Sequence, residues 1–494
     1  MHRRTFLRTG ASLGGAALVG TGLIAGRTVG HSQESEGEPF EPLGSVDVPG
    51  AAEAVVHDDG FVYLAAGDGF AVVDISEPAS PEVVAERREI ETGTDRPFGV
   101  AWDLWPWEDR LIVAGPAQLE NTAWGFALFD ISEPTDPEQI TFYRTDGSNE
   151  VGPHYIHNSY FEDGIVYLTG SGIAKHPLVM IDVRDDKPRV VGQWSIAERW
   201  DLDGIPVAMR TIHDVYVQDG IAYLPYWDAG TWIVDVSEPS DPEFLSRVGD
   251  YELAELRAVE ASASLLEATI PPGNAHVTTV SDDGSLLAVG AEAWARRDAS
   301  GDLVGGAGGV KLYDVSEKSE PERLARIAPP ESDGQTRSDR FTTAHNLDIA
   351  GNRLYTSWYF GGVKVHDVSD PANPEEIAWW REPSETSFWT AQAAEGVIVA
   401  SSIDVNGKLG SSAAGETRSA LYVFPDRAGQ QGDPPSLVGD GEDGGTNSSG
   451  DDETEGDEST DSLGPGLGVG SAVVGLAGYY FLSRRASGEK PRDR

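Results

Sequence analysis

The 494-residue chain has no cysteine, and this absence removes disulfides, thiolate metal sites and thiol nucleophiles together. Basic side chains are also scarce. Lysine and arginine number 36 against 82 acidic residues, which gives a formal charge of −46, and only seven of the basic residues are lysine. Without a basic patch, nucleic acid is excluded as a partner. So acidic and lysine-poor a surface keeps a protein soluble in concentrated salt and repels itself when salt is withdrawn, which reads as adaptation to extreme salinity.

What the chain does have is one recurring phrase. It reads AVVDISEPASPEVV around Asp74, ALFDISEPTDPEQI around Asp130, MIDVRDDKPRVV around Asp182, IVDVSEPSDPEFL around Asp235, LYDVSEKSEPERL around Asp314 and VHDVSDPANPEEI around Asp367. Successive marker aspartates are 56, 52, 53, 79 and 53 residues apart, too long for a helical pair and suited to a four-stranded blade, with an insertion in the fourth gap. Within one unit, HNLDIA (345 to 350), RLYTSWY (353 to 359), VKVHDVS (363 to 369) and EEIAWW (375 to 380) are short apolar or alternating runs separated by turn residues, the pattern of strands. The marker aspartates sit at a turn, where a carboxylate bonds local amides, so their role is structural.

A seventh unit lacks its last strand. TAQAAEGVIVASS (390 to 402) and ALYVF (420 to 424) supply three strands at most, while EPLGSVDVPG (41 to 50), at the other end of the chain, aligns with the fourth strands. The expected fold is therefore all-β, a seven-bladed β-propeller of four-stranded blades over 41 to 426. The N-terminal strand would close the ring inside the last blade and leave no open edge.

Outside the ring, residues 1 to 30 carry Arg3, Arg4, Phe6 and Leu7 before a mild apolar stretch and resemble a twin-arginine export signal. Residues 427 to 462 are acidic and Gly/Ser/Thr-rich, an expected disordered stalk that contains the sequon at Asn447. Residues 463 to 483 are uncharged and just long enough to cross a bilayer as a transmembrane helix. The basic tail 484 to 494 would then lie in the cytoplasm and the propeller on the extracellular face of the cell membrane. Pro465-Gly466-Leu467 is similar to the Pro-Gly-Phe sorting tail of archaeal surface proteins, with Leu467 in place of Phe.

The phrase DVS-x-P-x-x-P, repeated with a glycine ahead of it, resembles the LVIVD-repeat propellers over residues 41 to 426. That resemblance implies a surface-exposed ring and says little about chemistry. A fainter similarity runs to selenium-binding protein and methanethiol oxidase propellers, which share the blade end and His-rich inner strands.

Counting ten residues back from the second-strand tyrosine gives His345 from Tyr355, His213 from Tyr223 and His157 from Tyr167, and blade five reaches His276 with one inserted residue. The same count gives Glu53 in blade one and Trp389 in blade seven, while blade two is too altered around Phe98 to align. Equivalent inner-strand positions converge on the ring axis. Four crowded imidazoles disfavour protonation and suit one transition metal, Cu or Zn. The competing reading is that each histidine caps a strand by bonding the next blade. His154 and Glu53 are further candidate ligands, and Asn158, Asp214 and Asn346 are candidates to orient the rings. His57, His176 and His366 are expected on blade surfaces.

Two insertions complete the reading. Leu253, Leu256, Val259, Ala263 and Leu266 predict one short amphipathic helix over 251 to 269. WDLWPWED (102 to 109) puts three tryptophans in an expected loop, available to stack on a sugar if exposed and ordinary packing if buried. The Gly-rich segment 301 to 309 is expected at a hairpin tip. Together these features point to a monomeric, membrane-anchored binding module for a surface protein or glycan, with a metal site in the channel. The alternative is a metal-dependent oxidoreductase acting on small thiols through the same histidines.

Overall fold

The computed structural model describes residues 39–57, 60–115, 121–145, 155–171, 175–336, 339–405 and 416–438. They form seven sheets of four antiparallel strands arranged as blades around an axis, blade six carrying a short fifth strand on its outer edge. The innermost strands are Ala51–Val56, Asp103–Trp107, Tyr155–Glu162, Tyr216–Gln218, Ala275–Val280, Leu347–Ala350 and Phe388–Ala394. Each is followed outward by its blade's second, third and fourth strands, in chain order except in blade seven, whose fourth strand comes from the N-terminal end of the described chain.

Closure is as expected. The strand Gly44–Asp47 pairs antiparallel with Ala420–Pro425, Gly44 facing Val423 and Asp47 facing Ala420, and so becomes the outer strand of blade seven. Blade one and blade seven then share a core in which Val62, Leu64 and Val73 pack with Val397, Val399 and Val423. Most apolar clusters straddle neighbouring blades in this way, because each flat sheet can bury its two faces only against the sheets beside it.

The repeated phrase has a local cause at each residue. The marker carboxylates of Asp74, Asp130, Asp235, Asp314 and Asp367 accept the amide two residues on at 2.8 to 2.9 Å, and Asp182 accepts that of Arg184 at 3.0 Å. Hydrogen bonds from the following serine's hydroxyl and amide hold Asp130, Asp314 and Asp367 below the usual carboxylate range. The structural role is thus observed. One residue before each marker the ladder to the fourth strand shifts register, a bulge that recurs in six blades. The glycine that opens the third strand is sterically required: at Gly362, with φ of 90°, a Cβ would lie 1.9 Å from the Trp380 carbonyl oxygen.

Four local expectations change. The insertion after blade four holds two short helices, Leu253–Ala258 and Ser264–Glu267, because the chain turns at Val259. The segment 102 to 109 is mostly strand, with Trp102, Trp105 and Trp107 half-buried on either side of blade two's inner strand. The hairpin in blade five is made by Arg296–Arg297 and Leu303–Val304, so its tip is 298 to 302, and the Gly-rich run only begins there. Residues 427 to 438, expected as the start of the stalk, lie on blade six: Gly429–Gln430 pairs parallel with Ala378 and Trp379, and Leu437 is buried.

The segments expected to form an export signal (1 to 30), a transmembrane helix (463 to 483) and a cytoplasmic tail (484 to 494), and with them His154, lie outside the described residues. Among the described residues no helix is long and apolar enough to cross a membrane.

Candidate metal centre

In every blade the third residue of the second strand faces a defined partner on the inner strand, and three residues before that partner lies the position nearest the channel end. The pairs are Val55 with Tyr63, Trp105 with Ile112, Tyr160 with Tyr167, Tyr216 with Tyr223, Thr279 with Ala288, Asp348 with Tyr355 and Gln392 with Val399. Around the ring this position is therefore Ala52, Trp102, His157, His213, His276, His345 and Trp389.

All four histidines of the count occupy it, and so does Trp389. Glu53 does not. The hairpin of blade one carries one residue more than those of blades three, four and six, so ten residues back from Tyr63 stops one short of Ala52. Blade two holds the position with Trp102, missed because the sequence around Phe98 is too altered to align and the second strand has Ile112 where blades one, three, four and six offered a tyrosine.

The six rings form a continuous circuit. Centroid separations are 4.4 Å for His157 and His213, 3.6 Å for His213 and His276, 5.2 Å for His276 and His345, and 3.8 Å for His345 and Trp389. Trp389 then stacks on Trp102 at 5.4 Å, and Trp102 lies 6.3 Å from His157. Only blade one, with Ala52, contributes no ring.

Backbone carbonyls orient two of the imidazoles. His213 Nδ1 lies 3.1 Å from the His276 carbonyl oxygen, and His345 Nδ1 lies 3.0 Å from that of Trp389, each in the next blade. This is the strand-capping contact expected of the competing reading. It is also compatible with metal binding, because an Nδ1 proton donated to a carbonyl leaves Nε2 as the lone-pair nitrogen.

Metal-ready geometry is narrower than four imidazoles. Ligand atoms of His276, Glu292 and His345 lie within 4.8 Å of one another, and all three residues are buried. Glu292 was not a sequence candidate. It leaves the second strand of blade five four residues after Ala288, where blade four has Trp227 and blade six has Tyr359. Each of these residues flanks its own blade's histidine: Trp227 and His213 rings at 6.3 Å, Tyr359 and His345 at 5.1 Å, and Glu292 Oε2 with His276 Nδ1 at 3.4 Å. Counting four forward from the second-strand position would have found it. The Tyr359 hydroxyl donates to Glu292 Oε1 at 2.6 Å and fixes the carboxylate.

One residue further along the inner strand lies, in every blade but the fifth, where it is Val277, a polar tier comprising Glu53, Asp103, Asn158, Asp214, Asn346 and Thr390. Asn158, Asp214 and Asn346 were expected to orient the imidazoles, but they bond within this tier instead. Asn158 Nδ2 donates to Asp214 at 3.1 Å, and Asn346 donates to Glu53 and, at 3.4 Å, to Thr390. Asp103 accepts the Ser159 amide at 2.5 Å, and Asp214 accepts that of Thr278 at 3.4 Å, so the tier stitches blades two to five in series and ties blade six to blades seven and one. Burial pushes the Asp214 carboxyl up to about 7. Burial, with the Asp214 charge adding to it, drives Asp103 well above the carboxylate range. Glu53, Asp103, Asp214 and Asp348 line a central cavity of about 30 Å³, room for a water molecule or two.

The remaining histidines correct an expectation. His176 and His366 are buried at 1% and 4% exposure, and His57 is partly exposed.

No curated protein matches the sequence. Among solved structures, the WD40 repeats of RRP9 superpose with a TM-score of 0.52 at 9% identity, covering 80% of this chain and 99% of that one. A protein from Lactobacillus plantarum gives 0.48 at 10% identity, over 72% and 87% of the two chains. The first of these likenesses agrees with the fold on its own. The sequence matches the LVIVD repeat model at residues 49–86 and 210–250, which fall on blade one and blade four, so the chain is a seven-bladed β-propeller that carries LVIVD repeats.

Proposed function

We propose that this propeller is a binding module displayed at the cell surface, with one transition metal held at the end of its channel by His276, His345 and Glu292. The observation that carries the metal is the convergence of those three ligand atoms within 4.8 Å in a buried, pre-oriented setting. Two imidazoles and a carboxylate form a donor set suited to Zn or Cu. His213, stacked on His276, and then His157 continue the imidazole row away from the ligand set. The partner for the displayed ring would be a surface protein or a glycan.

Metal analysis of protein folded and purified in molar salt, then loaded with Zn or Cu, tests this reading. One equivalent should bind. His276→Ala, His345→Ala and Glu292→Gln should each weaken it by more than tenfold, while His157→Ala leaves it nearly unchanged. Strand capping alone predicts no stoichiometric metal and a stability loss of about 1 kcal/mol per histidine.

A second reading, oxidation of small thiols at the metal, is favoured by one feature: three protein ligands leave coordination positions open, as catalytic centres do. Turnover of a small thiol by the loaded wild type, lost in Glu292→Gln, would decide for it.

Display at the surface rests on Arg3 and Arg4 and on the uncharged segment 463 to 483. Replacing both arginines by lysine should hold the protein in the cytoplasm, protected from protease added to intact cells. Continued surface cleavage would exclude the twin-arginine route.

A further inference from the structure

Tyr359, the residue that flanks His345, is held in place from three sides. It is fully buried, and its backbone lies in the left-handed region at φ 48°, which is uncommon for a bulky side chain. The turn 358 to 362 keeps it there: the Trp358 amide reaches the Gly362 carbonyl at 2.9 Å, and that of Gly361 reaches Trp358 at 2.7 Å. Blade seven keeps it there as well, since Tyr359 and Phe388 exchange both backbone hydrogen bonds, at 3.1 and 3.0 Å. Around the ring stand Phe341 at 4.6 Å between centroids, His345 at 5.1 Å, Trp389 at 5.9 Å and Trp294 at 6.4 Å, the first three edge-on.

A phenol so boxed in has one place for its hydroxyl, and that place is at Glu292 Oε1, 2.6 Å away in blade five. The other carboxylate oxygen, Oε2, is the one turned toward His276, 3.4 Å from its Nδ1. The two oxygens of Glu292 therefore have different neighbours. The fold does not ask for this hydroxyl. Blade four fills the equivalent turn position with Trp227, left-handed at φ 43° and bridged to Ala275 of the next blade just as Tyr359 is bridged to Phe388. An aromatic ring satisfies the turn, and only the blade that faces Glu292 adds a phenol to it.

We infer that Tyr359 is a positioning residue that fixes how Glu292 meets the metal and so selects the ion, an inference that rests on the metal reading above. With Oε1 held by the phenol, Glu292 offers Oε2 and binds through one oxygen. Two imidazoles and one carboxylate oxygen suit Zn or Cu, which are satisfied by few ligands of mixed type. Ca²⁺ requires a larger set of oxygens and commonly takes both from a carboxylate, and Mn²⁺ prefers an octahedron of oxygens. A carboxylate tied down at one oxygen serves these ions poorly. The discrimination matters most where hard cations are in great excess, as they are in concentrated salt.

The test uses the full chain, folded in molar KCl and loaded with Zn or Cu. X-ray absorption of the Zn-loaded wild type should show two imidazoles and a single carboxylate oxygen at about 2.0 Å, and a carboxylate bound through both oxygens overturns the inference without any variant. Tyr359→Phe keeps the ring and loses the hydroxyl, so its metal-free form should still fold cooperatively. It should weaken Zn by about ten- to a hundredfold, narrow the preference for Zn over Mn²⁺ by more than tenfold, and shift the electron paramagnetic resonance spectrum of bound Cu(II). A role in packing alone would lower the melting temperature and leave the spectrum as it was. If wild type and variant bind Zn equally and share one Cu(II) spectrum, the positioning role is wrong and the metal centre stands. If the wild type takes up neither metal, the metal centre itself is wrong, and the role of Tyr359 falls with it.

Discussion

A chain lacking residues 39 to 49 should not fold cooperatively even in molar salt. That segment supplies four ladder pairs to Ala420–Pro425, and further bonds from the amides of Leu43 and Val48 to the carbonyls of Val423 and Ser419. Glu41 accepts the Trp380 indole at 2.7 Å, and Asp47 meets Arg418 at 2.6 Å. Phe40 and Val48 are fully buried, Phe40 stacked on Phe424 at 5.5 Å. At about 2 kcal/mol per buried side chain and about 1 kcal/mol per hydrogen bond, the loss is on the order of 8 kcal/mol. That is comparable with the whole stability of an ordinary domain. It also bares the edge of blade seven, so aggregation should follow. A chain ending at Val438 keeps every one of these contacts and should melt like the full protein. Similar cooperative melting of both truncations would show that the N-terminal strand does not close the ring.

The second large effect is acid sensitivity at His366. This residue precedes the marker aspartate of blade six, where the other repeats place Val73, Phe129, Ile181, Val234 and Tyr313, and it is equally buried. Burial, helped by the Lys364 charge, lowers its pKa from 6.5 to about 3. Between those two values the unfolded chain binds the proton and the folded chain does not, so stability is full above pH 6.5 and falls as pH drops toward 3. His366→Val should therefore outlast the wild type in acid, the gap between them widening by about 3 kcal/mol from pH 7.5 to pH 4 in denaturant titrations. Asp103, Asp214 and Asp228 act in the opposite direction, since their carboxyls, raised by burial, favour the fold at low pH. They are common to both proteins and cancel in the difference. Parallel pH profiles would mean that His366 is protonated in the folded state.

Much of the ring was legible because a repeat compares itself. The marker aspartate, the Pro-x-x-Pro turn and the third-strand glycine satisfy needs internal to one blade, and they recur six, four and five times. The imidazole row was legible for the same reason in blades three to six. Counting failed where hairpin length varied, which put Glu53 in place of Ala52, and where blade two was too altered around Phe98 to align, which hid Trp102. Glu292 escaped because it stands alone at a position filled by Trp227 and Tyr359 in neighbouring blades. His176 and His366 were misplaced on surfaces, since polarity alone does not show that a strand's outward face is covered by the next blade.

The sequence by itself determined the number of blades, their four-stranded make-up and the closing partner, because strand periodicity, turn chemistry and a missing fourth strand are short-range signals. Tertiary structure alone decided which atoms meet at the axis. The convergence of His276, Glu292 and His345, the mutual bonding of Asn158 with Asp214 and of Asn346 with Glu53, and the burial of Asp228 all join blades or strands through space. Those distances are set by how sheets twist and pack around a closed ring, which no spacing along the chain encodes.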